Sequence, residues 1–240
     1  MRRYLSLYTT IGLIGLAAVF VGFSKTFIFP VATGTFKAPV IVYVHGVFTF
    51  SWVILFLIQG ALIKAENWRL HSKLGVIGLI AALGTALTMP LVGVYQVERE
   101  LSQGLGETAV SSILGTVSAA ALFLGFVAAA LWNRDKPDVH KRFMLIATIH
   151  VLWPAWFRFR HYFPGVQPPE IWFALLAADS LFVLAWIWDY RANGRVHPAL
   201  LYGGLFVIAD HVFETFAFDS GPWRTAAHFV WSILGPNASA

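Results

Sequence analysis

The chain has 240 residues, of which 58% are hydrophobic and only 12% are charged, and its formal net charge is +5. A soluble domain carries about twice that share of charged residues, so the composition excludes an ordinary water-soluble protein and indicates a surface that faces lipid. The absence of cysteine excludes disulfides, thiolate metal sites and cysteine nucleophiles. The basic residues are spread between apolar runs, which indicates membrane topology and no nucleic-acid partner.

Long apolar stretches predict seven transmembrane helices. Each stretch approaches the roughly 20 residues that a helix needs to cross the hydrocarbon with its backbone groups paired internally. In chain order they lie at about 5–23, 39–63, 73–95, 109–132, 141–161, 171–189 and 198–218. The first is long for a signal peptide and is not closed by a small-x-small cleavage site, so it is predicted to be a true helix. The sequence therefore predicts one all-α domain, 1–240, a polytopic membrane helix bundle.

The charges in the connecting segments predict the orientation of the bundle. The amino terminus and the loops after the second, fourth and sixth helices hold 11 of the 17 basic residues. By the positive-inside rule these segments are cytoplasmic, as is the amino terminus. The protein is expected in the cell membrane, the inner membrane if the source is bacterial. The tail 219–240 is too short in its apolar run to span, and is expected to lie on the outer interface or to fold back against the bundle.

A histidine follows each of three charged turns on the predicted cytoplasmic side. These residues, His71, His140 and His197, each open the next helix after a charged and then an aliphatic residue. The positive end of a helix dipole disfavours imidazolium, and a neutral ring can bind a metal or accept a proton. The three rings are therefore a candidate site at the cytoplasmic rim. The alternative is that each ring only anchors or caps its own turn.

Several ionisable residues fall inside the predicted spans, where charged groups are costly and are functional candidates by default. His45 and His211 are expected at similar depth in the outer half, and Asp210 and Glu214 flank His211. The remaining candidates are His150 and Asp179 near the midplane, and Arg158 near the outer side.

Three interpretations of this interior set remain open. In the first, His45, His211, Glu214 and His150 hold a Zn, Fe, Cu or Mn ion, since imidazole and carboxylate suit these metals. In the second, His45 and His211 are the axial ligands of a haem b. In the third, buried pairs such as Asp179 with Arg158 fix the packing of helices or carry protons.

Motifs along most of the chain resemble a widespread family of uncharacterised bacterial multi-pass membrane proteins. They are His45-Gly46, Trp52, Phe56, Gln59, Arg69-x-His71, Leu74-Gly75, Asp138-x-His140-Lys141-Arg142 and Gly194-Arg195-Val196-His197-Pro198. The resemblance covers helices two to seven. It supports the fold and the choice of histidines, and it implies no particular activity.

The chain is also distantly similar to transmembrane b-type cytochromes of the ferric-reductase kind. Those proteins also place a His before a Leu-Gly step and carry His on core helices, so the likeness implies haem ligands at the embedded histidines. This chain departs from their pattern, because several of its histidines open helices and no predicted helix holds two at opposite depths.

The sequence thus leads us to expect a membrane protein that binds a metal or haem through histidines, with a redox role. Glu214 or Asp210 would be a third ligand or proton acceptor, and Arg158 a counter-charge. The alternatives are a proton-coupled transporter or channel in which Asp179, His150 and Asp210 relay protons, or a non-catalytic subunit of a membrane complex. Expected partners are the lipid bilayer, and other membrane subunits or further copies of the chain. Whether the protein is an enzyme is not decided by these residues.

Overall fold

The structure is a computed structural model and describes residues 6–236, all of whose regular elements are helices. In chain order these are α1 (Leu7–Ala32), α2 (Val40–Lys64), α3 (Trp68–Ser102), α4 (Glu107–Trp132), α5 (Pro137–Val151), α6 (Glu170–Asn193), α7 (Pro198–Ala217) and α8 (Gly221–Leu234). A short helix, Trp153–Phe157, and a 3-10 turn, Arg158–His161, extend α5. Single π-helical segments interrupt α1 at Ser24–Ile28 and begin α6 at Glu170–Ala177.

Six of these helices are long and apolar enough to cross a membrane, namely α1, α2, α3, α4, α6 and α7. The all-helical architecture expected from the sequence is therefore confirmed in the described residues, and the six long apolar helices agree with a multi-pass membrane protein. The predicted fifth span, 141–161, is present as α5 and its two short extensions. None of these pieces reaches the length of a span by itself, so the count of seven stays a prediction.

Proline explains why α5 ends early. Pro154 has no N–H to donate, and its ring would meet the carbonyl of His150, four residues earlier in the helix. The regular helix accordingly ends at Val151 and resumes at Trp153. His150 therefore lies in the last turn of α5, beside an irregular part of the backbone.

Consecutive helices pack side by side and run in alternating directions. In the α2–α3 pair, His45 contacts Thr88 and Gln59 contacts the backbone of His71, which makes the two helices antiparallel. We call the side on which α1 begins the amino-terminal face and the other side the opposite face. The core between the helices is apolar, and its largest fully buried side chains include Phe123, Phe182 and Ile146.

Small residues let α1 approach the irregular segment after α5. A Cβ at Gly22 would collide with the carbonyl of Ala155, and a Cβ at Gly15 would lie 2.7 Å from a methyl carbon of Leu152. In membranes, such close approach stabilises helix pairs through van der Waals packing. Glycine at these two positions therefore allows α1 to pack closely against the point where α5 is interrupted.

A buried ion pair joins α5 to α6 near the amino-terminal face. Arg142 donates from Nη2 to Oδ1 of Asp189 at 2.6 Å and from Nε to Oδ2 at 3.3 Å, and both side chains are almost fully buried. Asp189 also accepts from the backbone N–H of His197 at 2.8 Å and from Asn193 Nδ2 at 2.8 Å. These contacts fix the turn between α6 and α7 against α5.

The helix α8 packs against α3 and α4 at the opposite face. Trp223 and Ala227 are buried in an apolar cluster with Val97 and Ile113, and the indole of Trp223 donates to the carbonyl of Ser111 at 2.9 Å. The segment after α7 is thus folded back against the bundle as far as residue 236. The final residues, 237–240, lie outside the described part of the chain.

A carboxylate network fixes the turn before α8. Asp219 accepts from the hydroxyls of Thr108 and Ser111 at 2.9 and 2.7 Å, and from Nε and Nη2 of Arg224 at 2.8 and 2.6 Å. The Arg224 guanidinium and the two hydroxyls hold the pKa of Asp219 well below its usual range. The ionised carboxylate is therefore the form that docks α8.

We expect Arg142→Gln to lower the free energy of unfolding by roughly 3 kcal/mol, because it leaves the Asp189 carboxylate buried without its counter-charge. Lys141→Gln is the matched control, since Lys141 is exposed and pairs with the exposed Asp138; its effect should stay below about 1 kcal/mol. Thermal unfolding in detergent measures both. Equal effects of the two changes would contradict a special role for the buried pair.

The docking of α8 should depend on pH through Asp219. Since folding lowers the pKa of this carboxyl, its contribution is complete above the unfolded value of about 3.9 and is lost as the pH falls below it. The protection factors of the α8 amides, which are corrected for the intrinsic pH dependence of exchange, should therefore be constant down to about pH 5 and fall at lower pH. Asp219→Asn should accelerate exchange at neutral pH, whereas Asp135→Asn, at an exposed carboxylate in the 132–137 turn, should not.

Candidate functional site

Three ionisable side chains from α5, α6 and α7 form a continuous hydrogen-bonded chain inside the bundle. Oδ1 of Asp179 lies 2.8 Å from Nδ1 of His211, and Nε2 of His211 lies 3.2 Å from Nδ1 of His150. Nε2 of His150 lies 3.1 Å from the carbonyl oxygen of Ala119 on α4. The exposed fractions are 7% for Asp179 and 3% for each histidine, so the chain is enclosed by protein.

Irregular helix geometry places the two ends of this chain. The π-helical segment Glu170–Ala177 ends two residues before Asp179, and extra residues in a helical turn rotate the side chains that follow; such segments are frequent at functional sites. His150 precedes the break in α5. His211 lies on the buried face of α7, one and two turns after Val207 and Gly204.

The hydrogen-bond pattern fixes how many protons the chain holds. The carbonyl of Ala119 can only accept, so Nε2 of His150 must carry a hydrogen. If the Nδ1 atom of His150 is bare, Nε2 of His211 donates to it, and one further proton lies between His211 and Asp179. That proton makes either an imidazolium beside a carboxylate or a neutral imidazole beside a carboxylic acid.

A third placement puts the extra proton on His150, which then donates from Nδ1 to a bare Nε2 of His211. All three placements satisfy every contact and contain the same number of protons. Removing the extra proton would leave two acceptors facing each other at one of the contacts, which is costly in a buried site. The geometry therefore describes a chain with one extra proton and three alternative positions for it.

One carboxylate oxygen of Asp179 makes no hydrogen bond in the described part of the protein. Oδ2 of Asp179 is buried and has no hydrogen-bond partner among the residues that the structure describes. Toward the amino-terminal face, the next buried side chains along α5, α6 and α7 include Ile146, Phe182 and Val207, each 0% exposed. An apolar layer thus separates Asp179 from the Arg142–Asp189 pair.

Two further carboxyl groups lie on α7 around His211. Glu214 lies about one turn closer to the opposite face, and its Oε1 accepts from the hydroxyl of Ser118 at 2.5 Å. Asp210 directly precedes His211, and its Oδ2 is buried and unpartnered in the described part of the chain. Ser118 adjoins Ala119, so the same turn of α4 contacts both Glu214 and the His150 end of the chain.

His45 is bonded elsewhere. Its Nδ1 lies 2.8 Å from the hydroxyl of Thr88, which in turn donates to the carbonyl of Gly84 at 2.6 Å. No hydrogen bond or ring contact described in the structure joins His45 to His211. Within residues 6–236, no three His, Asp or Glu side chains are grouped as a metal site would require.

Arg158 does not contact Asp179, with which the sequence suggested a pair. Its Nη1 donates to the carbonyl of Pro154 at 2.8 Å, and its guanidinium lies over the ring of Phe23 at 4.2 Å. The partner of Asp179 is His211 instead. The structure therefore brings together Asp179, His150 and His211, with Glu214 and Asp210 close by, and places His45 and Arg158 outside this chain.

The three histidines of the amino-terminal face make separate contacts. Nδ1 of His140 lies 2.8 Å from the carbonyl of Ala130, and His197 caps α7 by accepting from the N–H of Ala199 at 3.2 Å. Nδ1 of His71 is buried without a partner in the described residues. The contact of His140 with the end of α4 and the capping of α7 by His197 give each of these residues a structural role.

The sequence interpretation missed Ser118, Thr88 and the carbonyl of Ala119, because a hydroxyl or a backbone oxygen has no distinctive pattern in an apolar helix. It also missed the pair of Arg142 and Asp189. A signal for that pair was present, since both charges lie inside predicted spans, where each needs an opposite charge nearby. The separation of 47 positions between them hid the contact.

Comparison of the chain with protein-family models, with curated proteins and with solved structures finds no match. The basis for a functional proposal is therefore the chemistry of the buried site.

Proposed function

We propose that the protein is a proton-coupled transporter or proton channel whose relay consists of Asp179, His211 and His150. The observation that supports this proposal is the hydrogen-bonded chain of the three side chains within the apolar bundle. Ionisable groups in such surroundings are costly, and they mark proton relays and ion pathways in membrane proteins. No permanent cofactor is needed for this function.

The relay would work by redistribution of the single extra proton. Because all three placements satisfy the same contacts, the extra proton can move between Asp179 and Nδ1 of His150 without rearrangement of the backbone. Histidine suits this step, since each ring can accept at one nitrogen while it donates at the other.

Access to the relay would come from the opposite face. Glu214 and Asp210 lie on α7 beside His211, and Glu214 is the carboxyl nearer to the end of that helix. The apolar layer of Ile146, Phe182 and Val207 would close the route to the amino-terminal face. A transporter would have to open that layer in a second conformation, and Pro154 beside His150 marks a place where α5 can bend.

The competing proposal is the metal or haem protein expected from the sequence. It is favoured by the parallel rings of His150 and His211, whose centroids lie 5.4 Å apart at an interplanar angle of 16°. It is disfavoured by the position of His45 and by the lack of a third ligand grouped with the pair in residues 6–236. Stoichiometric Fe, Cu, Zn or Mn in the purified protein, lost on His211→Gln, would favour it over the relay.

For the topology, we propose seven crossings, a cytoplasmic amino terminus and a location in the cell membrane. The contacts of α5 support a fifth crossing. His140 lies beside Ala130 near the amino-terminal face, and His150 lies beside Ala119 further into the bundle, so α5 runs antiparallel to α4.

The topology is testable because the chain has no cysteine of its own. In intact cells, a membrane-impermeant maleimide should label Gln167→Cys, in the loop before α6. It should label Asp135→Cys, in the loop before α5, only after permeabilisation. Labelling of both positions from the same side would show that α5 and its extensions do not cross.

The relay is testable in liposomes with a trapped pH dye, an imposed proton gradient and valinomycin to carry the balancing potassium. Asp179→Asn keeps the size of the side chain and a hydrogen bond to His211 but cannot take up the proton, so the proton flux should fall at least about tenfold. His211→Gln should have the same effect. His228→Gln is the control and should leave the flux unchanged, because His228 is an exposed residue of α8 that pairs with Glu107 of α4.

Elution as a single species in detergent would show that the variants are folded. A flux that persists at full rate in both Asp179→Asn and His211→Gln would rule out the relay.

A further inference from the structure

Lys25 is bound by groups other than carboxylates near the opposite face. Its Nζ donates to the carbonyl of His161 at 3.1 Å and lies 4.1 Å above the ring of Tyr162. The ring of Tyr162 is itself fixed, because its hydroxyl is hydrogen-bonded to that of Ser24. The ammonium group is therefore held at one place, although no carboxylate within residues 6–236 forms an ion pair with it.

Two arginines on the turn after α5 are held in the same way. Arg158 donates to the carbonyl of Pro154 and lies over the ring of Phe23 at 4.2 Å. Arg160 donates to the carbonyl of Phe157 at 3.0 Å and lies 3.8 Å from the centre of its ring. Carbonyl oxygens and aromatic rings thus hold the cationic groups of all three side chains in place. Contacts of both kinds stabilise a cation without cancelling its charge.

These three charges belong to one part of the opposite face. Lys25 is bonded to the carbonyl of His161, and Arg158 and Arg160 lie in the same 3-10 turn as His161. None of the ion pairs described within residues 6–236 includes any of the three. The carboxylate of Glu100 accepts from Gln96 and is within electrostatic reach of Arg160, whose charge it offsets in part, so three cations face one carboxylate. The cluster is a net positive site on the side that the charge rule predicts to be poor in positive charge.

An apolar groove begins beside this cluster. It has a volume of about 440 Å³ and is lined by Phe20, Val21, Ser24, Ile28, Phe29 and Tyr162. Phe20 and Phe29 are 49% and 62% exposed, and they belong to the membrane-spanning helix α1, so the groove opens toward lipid. Ser24 and Tyr162, which lie next to Lys25 or hold it, form the polar end of the groove.

We propose that this groove and the cations at its polar end form a binding site for an anionic phospholipid. The phosphate of the lipid contacts Lys25 and is attracted by the charge of the nearby Arg160, and one acyl chain lies along Phe20, Val21 and Phe29. Basic pockets between membrane helices bind anionic head groups in this manner. The apolar groove favours a lipid over a soluble anion, because a soluble anion would use the charges and leave the groove without a function.

This site is independent of the relay, since it shares no residue with Asp179, His211 or His150. It would bind lipid even if the protein moved no protons. Bound lipid would contact both α1 and the turn after α5. It would therefore stabilise the packing of α1 against the interruption of α5 at Leu152.

The test is native mass spectrometry of the purified protein titrated with phosphatidylglycerol or phosphatidylcholine. The wild-type protein should bind the anionic lipid at least about tenfold more tightly. Lys25→Gln and Arg160→Gln should each lower that preference about fivefold, since one basic residue near an anionic lipid contributes about 1 kcal/mol. Lys64→Gln and Lys73→Gln, at exposed lysines on the amino-terminal face, are the matched controls and should leave the preference unchanged.

A further variant separates the lipid from a soluble anion. Val21→Trp fills the groove without removing a charge, so it should weaken the binding of phosphatidylglycerol. Inorganic phosphate should not displace the lipid more effectively than chloride at equal ionic strength. Equal binding of the two lipids, equal losses in the control variants, unchanged binding in Val21→Trp or selective displacement by phosphate would each overturn the proposal.

Discussion

A polar group inside the hydrocarbon of a membrane has no water to bond with, so its partners must come from the protein itself. The organisation of this bundle follows from that constraint. Several buried polar side chains occur in small sets that bond to one another across helices: Asp189 with Arg142, His45 with Thr88, and Asp179 with His211 and His150. Each set joins side chains on different helices that lie 32 to 61 positions apart in the sequence, and an apolar core fills the space between the sets.

The three sets differ in whether their groups carry a fixed charge, no charge or an exchangeable proton. This difference indicates which sets stabilise the fold and which set could take part in chemistry. The Arg142–Asp189 pair has a permanent cation and further donors to the carboxylate, so it fixes the turn between α6 and α7. The His45–Thr88 contact is neutral in its simplest form and joins two neighbouring helices. Of the three sets, only the Asp179–His211–His150 chain has alternative proton positions that satisfy the same contacts, which is why it supports a proposal of proton movement.

Irregular backbone lies close to the places where chemistry is proposed. The break after α5 lies next to His150, the π-helical segment of α6 precedes Asp179, and the π-helical segment of α1 contains Lys25. Regular helices place side chains at fixed angular intervals, so an irregular turn is one means by which a bundle can aim a polar group at a partner. The proposed relay and the proposed lipid site therefore both depend on departures from the ideal helix.

The sequence by itself determined the helical membrane class, because long apolar stretches with few charges can be stable only as helices in lipid. It also singled out Asp179, His150, His211, Glu214 and Asp210, because ionisable residues stand out within apolar segments. Tertiary structure alone decided which of them meet. It paired Asp179 with His211 and not with Arg158, bonded His45 to Thr88, and divided the stretch 141–161 at Leu152. The physical reason is that the apolar pattern fixes which segments are buried, whereas the rotation and register of each helix, set by close contacts such as Gly22 against Ala155, decide which side chains face one another.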